Sequence, residues 1–141
     1  MEGPIEVVWE GERCFRGGSA GGATLLVDGN RGISASPVEA LVVALASCAA
    51  IDVVDILAKR RTPPSALRVR VEYIRAPDPP RRLVEIDLHF SVAVESDRSH
   101  VQRALELSFE RYCSVSASLA PDTRLTWTLE TEAGRASPSP P

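Results

Sequence analysis

Between Ala40 and Ile51 every residue but Ser47 is apolar, in a stretch that starts at Ser36-Pro37-Val38-Glu39 and runs on to Leu57. Few folds accommodate such a segment. Ser36 can cap a helix, Pro37 suits the first helical position and Glu39 completes a capping box. Pro63-Pro64 stops the helix. Apolar side chains point almost all the way round it, so burial on every side is expected. The length also raises a membrane span, but Asp52 and Asp55 lie inside the run. A charge at mid-span costs roughly 2.5–3.5 kcal/mol on insertion scales, so a buried helix in a soluble protein is expected, without a membrane partner. A chain of 141 residues has little else with which to cover such a helix, and a second copy would supply the cover. A homodimer is therefore expected.

The flanking sequence reads as strands. Residues 5–9, 13–16 and 23–27 are short apolar runs broken by Gly11, by the Gly-rich stretch 17–22 and by Asp28-Gly29-Asn30, which are hairpin signals. After the long helix, Leu67, Val69, Val71 and Tyr73 alternate with Arg68, Arg70 and Glu72. Beyond Pro77-Asp78-Pro79-Pro80, Val84, Ile86, Leu88, Phe90, Val92 and Val94 alternate with Glu85, Asp87, His89 and Ser91. Such two-residue periodicity describes a sheet covered on one face. A second helix starts near Asp97, with Val101, Ala104, Leu105, Ser108 and Tyr112 as its inner stripe. Residues 113–119 read as a further short helix or turn, and 123–130 as a last strand. The order predicts an α+β fold, helices gathered on one face of a mainly antiparallel sheet. Residues 1–131 are expected to form a single domain, and the Pro/Ser-rich tail 132–141 to be disordered.

Composition narrows the function. The net charge is -3, and the fifteen arginines against one lysine are scattered among acids, so no nucleic-acid surface is expected. Met1-Glu2-Gly3-Pro4 leads straight into strand-like sequence, so no cleavable leader is expected and a cytoplasmic setting follows, where thiols stay reduced unless used. Three cysteines without C-x-x-C spacing, and two histidines read as a strand's polar-face residue (His89) and a helix-opening turn residue (His100), give no reason to expect a metal.

The cysteines are the candidate chemistry. Cys48, Asp52, Asp55 and Lys59 fall within about 40° on the helix, the only strongly polar stripe it has. Asp55 and Lys59 form a possible i,i+4 pair where the helix end reaches water. A reactive thiolate needs a cation or a helix N-terminus. Cys48 is some three turns into its helix and Asp52 opposes its ionisation, so an arginine from the first third (Arg13, Arg16 or Arg31) would have to serve. Cys113 would lie near the start of a new helix, which lowers a thiol's pKa. Cys14, on a presumed strand beside Arg13 and Arg16, reads as structural.

Ser36-Pro37-Val38-Glu39-Ala40-Leu41 running into Ala46-Ser47-Cys48-Ala49-Ala50-Ile51-Asp52-Val53-Val54, followed by Arg111-Tyr112-Cys113-Ser114-Val115-Ser116-Ala117, resembles the OsmC/Ohr family of osmotically induced and organic hydroperoxide resistance proteins. The likeness covers roughly residues 5–130, and the Tyr-Cys-Ser-Val-Ser-Ala form points to the OsmC-like branch. The resemblance implies an intertwined α+β homodimer with active sites at the subunit interface, reducing hydroperoxides without a cofactor. It implies Cys48 as the peroxidatic and Cys113 as the resolving cysteine, an activating arginine best matched by Arg16, and a dithiol reductant of lipoyl type. Characterised members carry a Glu directly after the helix-start Pro; here that place holds Val38, and Glu39, the candidate acid, comes one residue later, about 100° round the helix. The competing reading is a non-catalytic dimeric module of the same fold that binds a small apolar ligand and keeps inert buried cysteines.

Overall fold

The protein is described by a computed structural model over residues 1–133. Among the described residues, six strands and three α-helices form two compact units, residues 1–43 and the residues from Ala44 onward. The long helix α1, Pro37–Lys59, starts in the first unit and continues into the second.

The first unit holds an antiparallel sheet in the order β1 (Ile5–Trp9), β2 (Cys14–Ser19), β3 (Thr24–Asp28). Gly17 and Gly18, expected to break the chain, continue β2 instead. A Cβ on Gly18 would come 2.4 Å from the Ala23 carbonyl oxygen, so that close approach requires glycine. Register puts Val7, Gly17 and Leu25 in one row and Trp9, Phe15 and Val27 in the next. Ile5, Val7, Trp9 and Leu25 on that face are each more than 60% exposed.

The loop after β3 is organised by Asp28, a buried carboxylate that accepts N–H bonds from Asn30 (2.8 Å), Gly32 (2.8 Å) and Ile33 (3.0 Å). Those donors, Ile33 foremost, hold its pKa below the ordinary value of 3.8. The unfolded chain takes up this proton at higher pH than the folded one. The contribution is therefore complete above the ordinary value and fades as pH falls through the lowered one. Melting temperature measured from pH 6 down to pH 2.5 should fall more steeply in the wild type than in Asp28→Asn, the two curves converging at the acid end.

At the start of α1 the capping box forms as expected: the Ser36 N–H donates to Glu39 Oε1 (3.0 Å) and the Glu39 N–H to Ser36 Oγ (3.2 Å). At its end Arg61 takes a left-handed conformation (φ 63°), and the Arg61 and Thr62 N–H groups return to the Ala58 and Leu57 carbonyls (2.9 and 3.0 Å). That is a Schellman stop with arginine in the usual glycine place, already complete before Pro63.

Complete burial of α1 is not found within one chain. Val42, Leu45, Ala49, Val53 and Leu57 are buried, at helical spacing, whereas Leu41 (42%), Val43 (60%), Ile51 (59%) and Val54 (40%) are exposed. By length and composition α1 could also cross a membrane. A single chain covers one stripe of a helix that is apolar on more than one.

In the second unit the sheet order is β4 (Ala66–Arg75), β5 (Leu83–Val94), β6 (Arg124–Ala133). The alternation read from sequence holds along central β5, where Ile86, Leu88, Phe90, Val92 and Val94 are buried. β4 pairs antiparallel and β6 parallel to β5. The parallel pairing follows from the connection, because α2 (Arg98–Leu107), a π turn (Ser108–Tyr112) and α3 (Ser114–Ala117) carry the chain back to the start of the sheet. β6 runs through Glu132 and Ala133, two residues into the stretch read as tail; the rest of that stretch lies outside the described residues.

Candidate active site

Asp97 caps α2, and Val101, Ala104, Leu105 and Ser108 form its buried stripe. The stripe stops there. Over Ser108–Tyr112 the helix widens by a residue per turn, and the Cys113 N–H closes the π turn on the Ser108 carbonyl (2.7 Å). The widening turns Tyr112, expected inside, out to 55% exposure and brings Cys113 in to 3%.

Two anchors hold this turn. Phe109 stacks on Trp127 of β6 (centroids 6.4 Å apart, 17° between planes) and meets Phe90 of β5 edge-on (6.3 Å, 73°). Ser108, fully buried, donates its hydroxyl to Asp52 Oδ2 on α1 (2.7 Å). The sequence carried a signal for that bond. A hydroxyl on a buried stripe must find a partner, and Asp52 belonged to the only polar stripe on α1.

Cys113 caps α3, its sulfur accepting the Ser116 N–H (3.4 Å), and it lies close enough to Cys48 for the two thiols to interact. Both cysteines are free thiols, Cys48 half-buried and Cys113 buried. The expected lowering of the Cys113 pKa is reversed. Burial raises it, the Ser116 bonds only partly offset this, and negative charge on Cys48 raises it further. A four-residue helix has too little dipole to win against burial.

The other candidates lie in the first unit. Arg16 on β2 pairs with Glu10 (2.9 Å) and donates to Thr24 Oγ1 (3.3 Å). Arg13 donates to Asn30 Oδ1 (3.0 Å). Arg31, with a left-handed backbone, reaches Glu39 (4.0 Å), whose carboxyl is held below its ordinary pKa mainly by the Ser36 N–H. The Cys14 thiol is raised by burial and then by Asp28.

On the Asp52 side of α1 the second unit opens a cleft of about 640 Å³, lined by Asp52, Ile56, Lys59, His100, Leu107 and Tyr112 among others. Asp55 and Lys59 both line it. His100 is more engaged than a free turn residue, bonded to Arg60 (2.8 Å) and Ser96 (3.1 Å). His89 stays on the polar face of β5, between Thr128 (2.8 Å) and Asp87 (3.1 Å).

The chain is a mixed α+β protein whose long helix carries Cys48 near a second thiol, Cys113, that follows a π turn. Residues 29–128 match the family of OsmC-like proteins, and the chain belongs to that family. It is 39% identical over 126 residues to protein YhfA of Escherichia coli K12, covering 88% of this chain and 94% of YhfA. The fold matches the OsmC-like protein of Mycoplasma pneumoniae (TM-score 0.75, 16% identity, 96% of this chain and 99% of that one). It also matches the organic hydroperoxide resistance protein OsmC of Legionella pneumophila (TM-score 0.64, 12% identity, 89% and 94%).

Proposed function

We propose that the protein is a thiol-dependent hydroperoxide reductase. The observation that carries this reading is the half-buried Cys48 thiol beside the buried Cys113 thiol, close enough to raise its pKa. The Cys48 thiolate attacks the distal oxygen of an organic hydroperoxide. The O–O bond breaks, the alkoxide leaves and takes up a proton, and Cys48 becomes a sulfenic acid. Cys113 gives up its proton and attacks the Cys48 sulfur; the S–S bond forms and the hydroxyl leaves as water. A dithiol of lipoyl type reduces the disulfide by exchange and is itself oxidised. The net change is hydroperoxide and dithiol to alcohol, water and oxidised dithiol, without a metal or cofactor.

The more accessible Cys48 is the peroxidatic residue and the buried, high-pKa Cys113 the resolving one. Arg16 and Glu39 are the proposed activating pair, with Arg31 the alternative cation because it already reaches Glu39. The working unit is a homodimer. The exposed apolar stripe of α1 and the exposed face of the first sheet both call for cover that a second copy supplies. The setting is cytoplasmic, where a dithiol reductant is at hand, with no nucleic-acid or membrane partner.

Intact and peptide mass spectrometry after one equivalent of cumene hydroperoxide tests the cycle. Rapid loss of two hydrogens mapped to a Cys48–Cys113 disulfide, absent in Cys48→Ser, is the expected result. No change over minutes would overturn it and favour the ligand-binding module, the reading that Val38 in the family's Glu position supports.

A further inference from the structure

We infer that Asp52 and Ser108 form a latch that positions the resolving cysteine, an assignment that rests on the pairing of Cys48 with Cys113 but not on the oxidant. Asp52 stands one helical turn after Cys48 on α1, and Ser108 opens the π turn that ends in Cys113. Two bonds of 2.7 Å link them in series: Ser108 Oγ to Asp52 Oδ2 from the side chain, and the Cys113 N–H to the Ser108 carbonyl from the backbone. One serine thus ties the element carrying Cys113 to the element carrying Cys48.

The surroundings leave few substitutes for this bond. Ser108 has no solvent exposure, so without Asp52 its hydroxyl has no water to turn to, and a buried unpaired hydroxyl is costly. Phe109 fixes the neighbouring position against β5 and β6 through Phe90 and Trp127, but that anchor faces the sheet rather than α1. Ser116 holds the Cys113 sulfur through its backbone N–H. The Asp52–Ser108 side-chain bond joins the π turn to α1. A disulfide also tolerates little misplacement, needing Cα atoms within about 7 Å and a narrow range of torsions. Loosening the π turn therefore lowers the effective concentration of Cys113 at Cys48, while Cys48 itself stays in place.

Asp52 and Ser108 are positioning residues, and the readout is the thiol–disulfide equilibrium of the pair. Wild type, Ser108→Ala, Asp52→Ala and Asp52→Asn would each be equilibrated with reduced and oxidised glutathione, then quenched and quantified by mass spectrometry. Thermal melts of the reduced proteins would show which variants are folded. Ser108→Ala and Asp52→Ala should each lower the disulfide equilibrium constant about tenfold, near 30 mV for a two-electron couple. Asp52→Asn keeps a carbonyl oxygen for Ser108 and should stay within about threefold of wild type, which separates the bond from the carboxylate charge.

A purely structural role would change melting temperature and leave the equilibrium alone. The assignment is overturned if folded Ser108→Ala matches wild type, or if Asp52→Asn falls as far as Asp52→Ala. It is also overturned if no Cys48–Cys113 disulfide forms in the wild type at any glutathione ratio. No hydroperoxide is present, so a wild type that forms the disulfide but ignores cumene hydroperoxide would overturn the peroxidase reading and leave the latch standing.

Discussion

Cys48→Ser should reduce hydroperoxide consumption, measured with excess dithiol reductant, by on the order of a thousandfold or more, because a serine hydroxyl replaces the thiolate that attacks the O–O bond. Cys113→Ser should behave differently. Its Cys48 still attacks, so one equivalent of hydroperoxide is consumed and the chain gains one oxygen atom. The sulfenic acid then has no neighbouring thiol to condense with. It should persist long enough for dimedone to trap it on Cys48, with no label when Cys48 is also replaced. The asymmetry follows from burial: the half-buried thiol meets the substrate and the buried one meets only its neighbour. Equal loss in both variants at the first turnover would contradict these roles, and unchanged consumption by Cys48→Ser would remove the cycle altogether.

Ile51→Asp should convert the proposed dimer to monomer, read by sedimentation velocity or by light scattering after gel filtration at tens of micromolar protein. Ile51 is 59% exposed in the single chain, at the centre of the uncovered stripe with Val43 and Val54. Burying an isoleucine side chain contributes roughly 1.5–3 kcal/mol, and an unsatisfied polar group left at a buried site costs roughly 1–3 kcal/mol more. A two-fold interface counts each change twice. The dimerisation constant should therefore drop by at least about 10⁴, taking 1.4 kcal/mol per factor of ten. The exposed site tolerates the carboxylate in a free chain, so the monomer should keep its helical circular dichroism. A wild type that sediments as a monomer at these concentrations would exclude the dimer.

The apolar stripes of α1 lead to both the legible and the illegible parts of the fold. Its existence, its capping box and its excess of apolar surface could be read from Ser36 to Leu57, since caps and periodicity depend on residues three or four apart. The alternation along β5 was equally local, and so was the first hairpin apart from Gly17 and Gly18. A glycine that breaks a chain and one that lets two strands approach are the same letter. The direction of β6 was not legible either, because its pairing with β5 depends on the path of the whole helical connection. Tyr112 was misplaced for a related reason. A 3.6-residue period was carried across Ser108–Tyr112, where the backbone adopts a wider turn.

The same division runs through the candidate site. The amino-acid sequence determined a capped, over-apolar helix with Cys48 and Asp52 on one polar stripe, a Tyr-Cys-Ser-Val-Ser-Ala segment far downstream, and through them the family. Tertiary structure decided that Cys113 faces Cys48, that burial and the neighbouring sulfur raise its pKa where a helix start was expected to lower it, and that Ser108 reaches Asp52 across 56 residues of chain. It also decided that Arg31, rather than Arg16, reaches Glu39. The physical reason is range. Helix caps and periodic faces are set by bonds and contacts a few residues long, whereas a thiol's pKa and a buried hydroxyl's partner depend on whatever distant segments the finished packing brings within a few ångströms.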